Sequence, residues 1–376
     1  MSNQDHFPSA LLTQSNQARW RYFYHKIVAH QRLVELDTRL QQAIRYATRG
    51  RIILVFGPTG VGKTTLRHGI ERALLEQWQH HSNQDRGRIP LASVEAVAPE
   101  QGNFDWHDFY QRALHSLAEP LIEHKVVDAG LLDGQLISQA KPNLRTLRLA
   151  MEQCLRHRRP AAFIIDDAHH LQKIAGSRRL QDQMDAIKSL ANRSETVLIL
   201  IGTYELLNLT NLNDQLSHRS YHLSFSRYLP HGDPDVHAFK LVLKTFQQHL
   251  PLAETPNLVS RWDYFYENSA GCVGILKLWL CNSLAAALEQ EQKTLTDSLL
   301  QQCALSPDRL LNIVREINEG ERKLAELDEK RSHIRTALGL APAPVLPEPE
   351  PLTRQKYRVG ERRPQRDPVG GAPHDA

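Results

Sequence analysis

The feature that most constrains the fold is a glycine-rich loop at residues 57–65, which has the pattern G-x-x-x-x-G-K-T. An apolar, β-branched run at 51–56 precedes it, and residues 64–79 carry leucine and isoleucine at helical spacing. Strand, glycine loop and helix in this order form a site for phosphate groups. The residues of the loop are Gly57, Pro58, Thr59, Gly60, Val61, Gly62, Lys63, Thr64 and Thr65. We therefore expect the chain to bind a nucleoside triphosphate.

The residue types of the loop suit this chemistry. Glycines let the backbone wrap closely around phosphates, and the N–H groups at the start of the helix present positive potential to the anion. Lys63 is expected to contact the β- and γ-phosphates, and the Thr64 hydroxyl to bind Mg²⁺. ATP and Mg²⁺ are therefore the predicted cofactors.

A second apolar run, at 161–165, ends in the carboxylates Asp166 and Asp167. A strand of this kind, buried in a parallel sheet, delivers its terminal side chains to the ligand edge of the sheet. This is the Walker B pattern, a weak signal alone and a strong one when the glycine loop is also present. We expect Asp166 to hold Mg²⁺, directly or through water, and Asp167 to polarise the attacking water.

Further strands and helices alternate along the first part of the chain. Residues 89–97, 196–203 and 221–225 have strand patterns, and amphipathic helical patterns separate them. This alternation predicts an αβα sandwich around a parallel sheet.

The strand patterns stop near Asp233, and helical patterns follow. We predict an N-terminal arm, a nucleotide-binding αβα domain, a small helical lid, a charged helix and a disordered, proline-rich tail. The arm is expected either to dock on the core or to bind a partner. The predicted bounds are 1–26, 27–230, 231–305, 306–340 and 341–376.

Composition excludes several classes of protein. The formal charge of +4 is mild, so a nucleic-acid site must be a local patch. The four cysteines show no metal-binding spacing, which favours reduced thiols in the cytosol. Because no run approaches a membrane span and the N-terminus has no apolar leader, we expect a cytoplasmic protein.

The order of these signals resembles that of AAA+ ATPases. Over residues 27–305 the chain is more specifically similar to transposition regulators of the TnsC/TniB/MuB group. The segments that carry this resemblance are Phe104–Tyr110, Ile164–Leu171, Leu190–Arg193, Leu200–Leu206 and Gly271–Lys277.

The resemblance implies roles for three more residues. Thr203 takes the place of the residue that orients the water or the γ-phosphate (sensor I). Arg219 takes the place of the arginine finger that reaches into a neighbouring subunit, with Arg193, Arg178 and Arg179 as the alternatives. Lys277 falls at the phosphate-contacting lid position (sensor II), which is usually arginine. Lysine there keeps the charge but loses the bidentate fork.

The sequence departs from the AAA+ pattern at Asp167, where most relatives have glutamate. Aspartate is shorter by one methylene, so its carboxylate is expected to stand back from the water. A misplacement near one ångström costs about 10²-fold in rate. We therefore expect slow hydrolysis.

Members of the resembled group assemble on duplex DNA as ATP-bound rings or filaments, with about six or seven subunits per turn. The resemblance thus implies self-association, sequence-independent contact with double-stranded DNA, and binding to a transposase and to a target-selection protein of the TniQ type. The residues expected to contact DNA are Lys141, Arg145 and Arg148, although a solvated helix face explains the same charges.

Two other functions remain open from sequence. The first is a signalling ATPase of the STAND or AAA+ type, which acts only through protein partners. The second is a relative of replication initiators, but the residues from 306 onward provide too little for the winged-helix domain that such proteins carry.

Overall fold

The computed structural model describes residues 6–79, 85, 87–99, 102–124, 131–132, 135–136, 142–172, 177–211 and 220–339. The chain divides into two compact units, Met1–Leu324 and Ala325–Ala376. All contacts discussed below lie within the first unit. The predicted tail at 341–376 lies outside the described residues.

A five-stranded, fully parallel sheet forms the centre of the first unit, with the strand order β2-β5-β6-β1-β7. A separate two-stranded antiparallel pair, β3 and β4, was not predicted from sequence. The strands are β1 (Ile52–Phe56), β2 (Leu91–Glu95), β3 (Leu131–Leu132), β4 (Gln135–Leu136), β5 (Ala162–Asp166), β6 (Leu198–Gly202) and β7 (Ser220–Ser224).

Every residue of β1, β5 and β6 is buried, as a parallel sheet with helices on both faces requires. The helices of this region are α1 (Asn16–His25), α2 (Gln31–Arg45), α3 (Lys63–Gln79), α4 (Trp106–Ser116), α5 (Leu144–Arg158), α6 (Ser177–Ser194) and α7 (Leu206–Asn211). Asp105 caps α4 by accepting from the N–H groups of His107 and Asp108 at 2.8 and 3.1 Å. The predicted αβα fold is confirmed.

Helices alone follow β7 along the described chain. They are α8 (Asp233–His249), α9 (Trp262–Ser269), α10 (Val273–Glu289), α11 (Asp297–Cys303) and α12 (Pro307–Ala337). Residues of α8 to α11 share one apolar core that includes Phe239, Phe246, Trp279 and Leu284. No single described helix is long and apolar enough to cross a membrane, and only the bent pair Val259–Ser269 and Val273–Glu289 reaches that hydropathy jointly.

The N-terminal segment packs against this helical core. Phe23 is fully buried within it, and the Trp20 indole donates to the carbonyl of Cys281 at 3.3 Å. The Arg19 guanidinium donates to the carbonyl of Pro251 at 2.9 Å. Of the two roles expected for the arm, the structure therefore shows docking on the core for residues 16–25.

His30 links the start of α2 to the segment after β7. Its imidazole is buried, stacks on Phe225, and is hydrogen bonded through Nδ1 to the Tyr228 hydroxyl at 3.1 Å. Desolvation by burial, helped by the nearby Arg32 charge, lowers the pKa of His30 from 6.5 to about 4. The folded protein therefore holds this ring neutral.

We expect stability to fall as the pH drops from 6.5 to 4, because only the unfolded chain binds a proton at His30 in that window. The full loss from this group is about 3 kcal/mol of unfolding free energy. Denaturant titrations of wild type and His30→Gln at several pH values test this, since glutamine keeps a hydrogen-bonding group without titrating. The exposed His237→Gln is the control, and an unchanged pH slope in His30→Gln would contradict the assignment.

Candidate functional site: a phosphate-binding loop with two carboxylates

The glycine loop joins β1 to α3, as the sequence predicts. Lys63 is 9% exposed, and its ammonium donates to the loop carbonyls of Gly57 at 2.9 Å and Pro58 at 2.8 Å. Desolvation by burial lowers the pKa of Lys63, and the nearby carboxylates, Glu316 first among them, oppose this effect. The positively charged Lys63 side chain therefore lies beside the backbone groups that would bind phosphate.

The first turn of α10 rests directly on this loop. The N–H of Ile275 donates to the carbonyl of Gly60 at 3.2 Å. A Cβ added to Gly274 would lie 2.4 Å from the same oxygen, so only glycine permits this approach. Gly60 itself has a φ of +74°. The helical region therefore contributes one wall of the site.

The two carboxylates lie where β5 ends. Asp166 is buried, and its Oδ2 is 2.8 Å from Nε of Arg67 on α3. Its Oδ1 accepts from the N–H of Asp167 at 3.0 Å. Burial raises the pKa of Asp166, while the Asp167 N–H and the Arg67 charge oppose the rise. Arg67 therefore balances the charge of the carboxylate predicted to hold Mg²⁺.

Asp167 has a left-handed backbone, with φ of +48°, and its side chain is 45% exposed. Its carboxylate Oδ1 is 3.9 Å from Nδ1 of His169, which is too far for a hydrogen bond. The bend turns the chain away from the strand immediately after Asp166. As a result Asp166 is enclosed and Asp167 is accessible, which suits the different roles predicted for them.

A cavity of about 500 Å³ brings together eight of the fourteen residues predicted for the nucleotide site. The lining residues are Thr59, Gly60, Gly62, Lys63, Thr64, Thr65, Asp167, His169, His170, Thr203 and Gly274. Thr203 follows the last residue of β6, so the sheet places it beside the loop. Thr203 thus lines the same cavity as the glycine loop, and its role at the γ-phosphate stays a prediction.

His169 and His170 also line the cavity, with ring centroids 4.1 Å apart. Sequence reasoning assigned no role to them, although they directly follow the strand and its two carboxylates. Arg67 was missed as well. Its position four residues after Lys63 places both on one face of α3, which was the available signal.

Volume alone does not identify the site. A larger cavity, of about 690 Å³, lies beside α4 and is lined by Phe104, Trp106 and Phe109. It contains neither the glycine loop nor the carboxylates of β5. The smaller cavity is the functional candidate because it unites the phosphate-binding backbone with titratable groups.

The donor set near the loop fits Mg²⁺. Thr64 and Asp166 supply a hydroxyl and a carboxylate, which are hard oxygen ligands, and phosphate oxygens and water complete such a shell. Among the described residues no group of three or more His, Cys, Asp or Glu side chains is placed to hold a metal ion by itself.

Lys277 lies away from this cavity, contrary to its predicted role at the phosphates. Its ammonium donates to the carbonyls of Phe23 and Lys26, the latter at 3.2 Å, and lies 3.8 Å from the centre of the Phe23 ring. Burial lowers the pKa of Lys277 to about 8. The Lys277 side chain therefore joins α10 to the end of α1. It does not reach the cavity because the docked N-terminal helix offers these carbonyls to its ammonium.

The other predicted contacts divide into described and undescribed positions. Arg219 and Lys141 lie outside the described residues. Arg145 is exposed in the first turn of α5. Arg148 is paired with the buried Glu152 at 3.1 Å, so part of its charge is already balanced within the protein.

Comparison with protein families agrees with this geometry. A family model described as the AAA domain matches residues 45–210, which include the glycine loop, both carboxylates and Thr203. Residues 45–210 form an AAA-type P-loop ATPase domain. A comparison with curated protein sequences found no significant match.

Solved structures share this fold. The ORC2 protein of Aeropyrum pernix, solved as ADPNP-ADP complexes, is 14% identical with a TM-score of 0.50, over 76% of this chain and 72% of that one. The ORC1 protein of Aeropyrum pernix, solved in complex with DNA, is 16% identical with a TM-score of 0.50, over 77% and 68%. At these identities the likeness shows a common fold.

The position of Lys277 predicts how its replacement affects nucleotide affinity and stability. We expect Lys277→Met to leave nucleotide affinity within about twofold, because the ammonium contacts α1 and not the cavity. We expect the unfolding free energy to fall by about 1 kcal/mol, since two partly buried carbonyls lose a charged donor. Calorimetric nucleotide titration and denaturant unfolding measure the two effects. Lys63→Met is the control that should lose nucleotide binding, and a similar loss in Lys277→Met would restore the original assignment.

Proposed function

We propose that the protein is an ATP-hydrolysing regulator of the AAA+ type that assembles on duplex DNA, marks a transposition target and recruits a transposase. The observation that carries the ATPase part is the single cavity that unites Lys63, Thr64, Asp167 and Thr203. The DNA part is supported by the ORC1 protein, whose structure is a complex with DNA. The transposition part is supported by the sequence resemblance to the TnsC/TniB/MuB group.

In the proposed reaction a water molecule attacks the γ-phosphorus of ATP, the bond to the β–γ bridging oxygen breaks, and ADP and phosphate leave. Lys63 would turn from the carbonyls of Gly57 and Pro58 to the β- and γ-phosphates. Mg²⁺, held by Thr64 and Asp166, would neutralise charge on the phosphate oxygens. Asp167 would orient the water and accept its proton, and Thr203 would position the γ-phosphate.

The site would be completed by a second subunit. Arg219 is the proposed arginine finger, which stabilises charge on the transferred phosphate from a neighbouring copy. A ring or filament of about six or seven subunits per turn follows from the resemblance. ATP in the loop would then favour assembly, and hydrolysis would release the subunits.

Contact with DNA is proposed for Lys141 and for the first turns of α5. Arg145 is exposed there, so its guanidinium is accessible to a DNA phosphate. Arg148 is already paired with Glu152, so it would attract a phosphate less strongly. Lys141 is the third proposed contact. Because many subunits contribute such contacts, weak binding by each one suffices for a stable assembly. A target-selection protein of the TniQ type and the transposase are the proposed protein partners.

Duplex binding with an ATP analogue compared with ADP tests this function. We expect nucleotide-dependent filaments or rings in electron micrographs, and a fall in duplex affinity of about tenfold or more when Lys141, Arg145 and Arg148 are all changed to Ala. Arg156→Ala, an exposed change at the other end of α5, is the matched control. Absence of DNA binding in both nucleotide states would favour the signalling ATPase that acts through protein partners.

The length of the Asp167 side chain makes a separate prediction about rate. If the carboxylate stands back from the water, Asp167→Glu should raise the steady-state ATPase rate, by up to about 10²-fold. Single-turnover and steady-state phosphate release measure this, with nucleotide affinity as the control for intact binding. A lower rate in Asp167→Glu with unchanged affinity would show that aspartate is the better base in this site.

A further inference from the structure

The first half of α12 crosses the glycine loop. The Thr59 hydroxyl lies 3.2 Å from both carboxylate oxygens of Glu316 and donates to them. Thr59 belongs to the loop and lines the nucleotide cavity. A negative charge from the C-terminal helix is therefore held against the backbone that would receive phosphate.

The helix is anchored next to Glu316. Five residues further on, Arg227 binds Glu321 through two nitrogens, at 2.8 and 3.0 Å, and also donates to the Tyr266 hydroxyl at 3.0 Å. Arg227 and Glu321 are largely shielded from solvent, with side chains 15% and 31% exposed. An ion pair of this geometry resists sliding of the helix.

Packing reinforces the anchor. Ile317, next to Glu316, is 1% exposed, and its cluster includes Cys272 and Ile275 at the start of α10. Gly320 lies so close to the Tyr204 ring that an added Cβ would be 2.1 Å from it. Glu316 is therefore a fixed charge, because its helix cannot move away without breaking both the packing and the ion pair.

The charge also acts on the cavity that would receive the phosphates. Glu316 is held on Thr59, which lines the same cavity as Lys63 and Thr64. Its carboxylate therefore repels phosphate oxygens at the glycine loop. A triphosphate carries more negative charge than a diphosphate, so the repulsion weakens its binding more.

We propose that Glu316 is a specificity-determining residue that weakens binding of a nucleoside triphosphate relative to a diphosphate. This inference rests on the proposed function only in that nucleotide binds at the glycine loop. It adds that the isolated subunit is biased toward its ADP state by a helix outside the AAA domain. Assembly would then have to overcome this bias.

The test is Glu316→Gln in the full chain, with affinities for MgADP and for the magnesium complex of a non-hydrolysable ATP analogue measured by calorimetry. Glutamine keeps an acceptor for Thr59 and removes only the charge. We expect the ratio of the analogue Kd to the ADP Kd to fall by about tenfold. Glu319→Gln is the matched control, because Glu319 pairs with Lys323 on the exposed side of the same helix. That variant should leave the ratio unchanged.

A second variant tests the anchor. Glu321→Gln weakens the hold of Arg227 on the helix, so it should shift the ratio in the same direction by a smaller factor. Unchanged ratios in Glu316→Gln, with both nucleotides still bound, would overturn this inference and leave the ATPase proposal intact. Failure of the wild type to bind either nucleotide would overturn both. DNA is omitted from these titrations, so failure of the DNA proposal does not affect the result.

Discussion

Parallel pairing of three buried strands is the constraint on which the site depends. β6 pairs with β1 on one side and with β5 on the other, and Phe56 lies opposite Gly202. All three strands therefore end at the same edge of the sheet, and the glycine loop, Asp167 and Thr203 follow at that edge. If the pairing of one strand slipped by one residue, its side chains would turn to the opposite faces of the sheet, and the residues that follow that strand would no longer meet the others.

The helical region completes the site through two close contacts. Gly274 at the start of α10 touches the carbonyl of Gly60, and the Glu316 carboxylate on α12 accepts from the Thr59 hydroxyl. Both contacts join segments more than two hundred residues apart in sequence. A phosphate group that displaced either contact would therefore also alter the packing of the C-terminal helices behind it.

Charge in the site is balanced by groups of the protein itself. Lys63 donates to two loop carbonyls and Arg67 neutralises Asp166, so each buried ion has a partner. Such pairing avoids the cost of burying an isolated charge. Binding of nucleotide with magnesium would exchange these partners for phosphate oxygens and a metal ion.

The sequence by itself determined the elements that depend on neighbouring residues. The glycine loop between strand and helix, the apolar run that ends in Asp166, and the alternation of strands and helices all express local patterns, and the fold confirms them. The partners of Lys277 and Glu316 were decided only by tertiary structure. A long charged side chain can reach several surfaces, and only the packing of α1 against α10 and of α12 against the loop selects one of them.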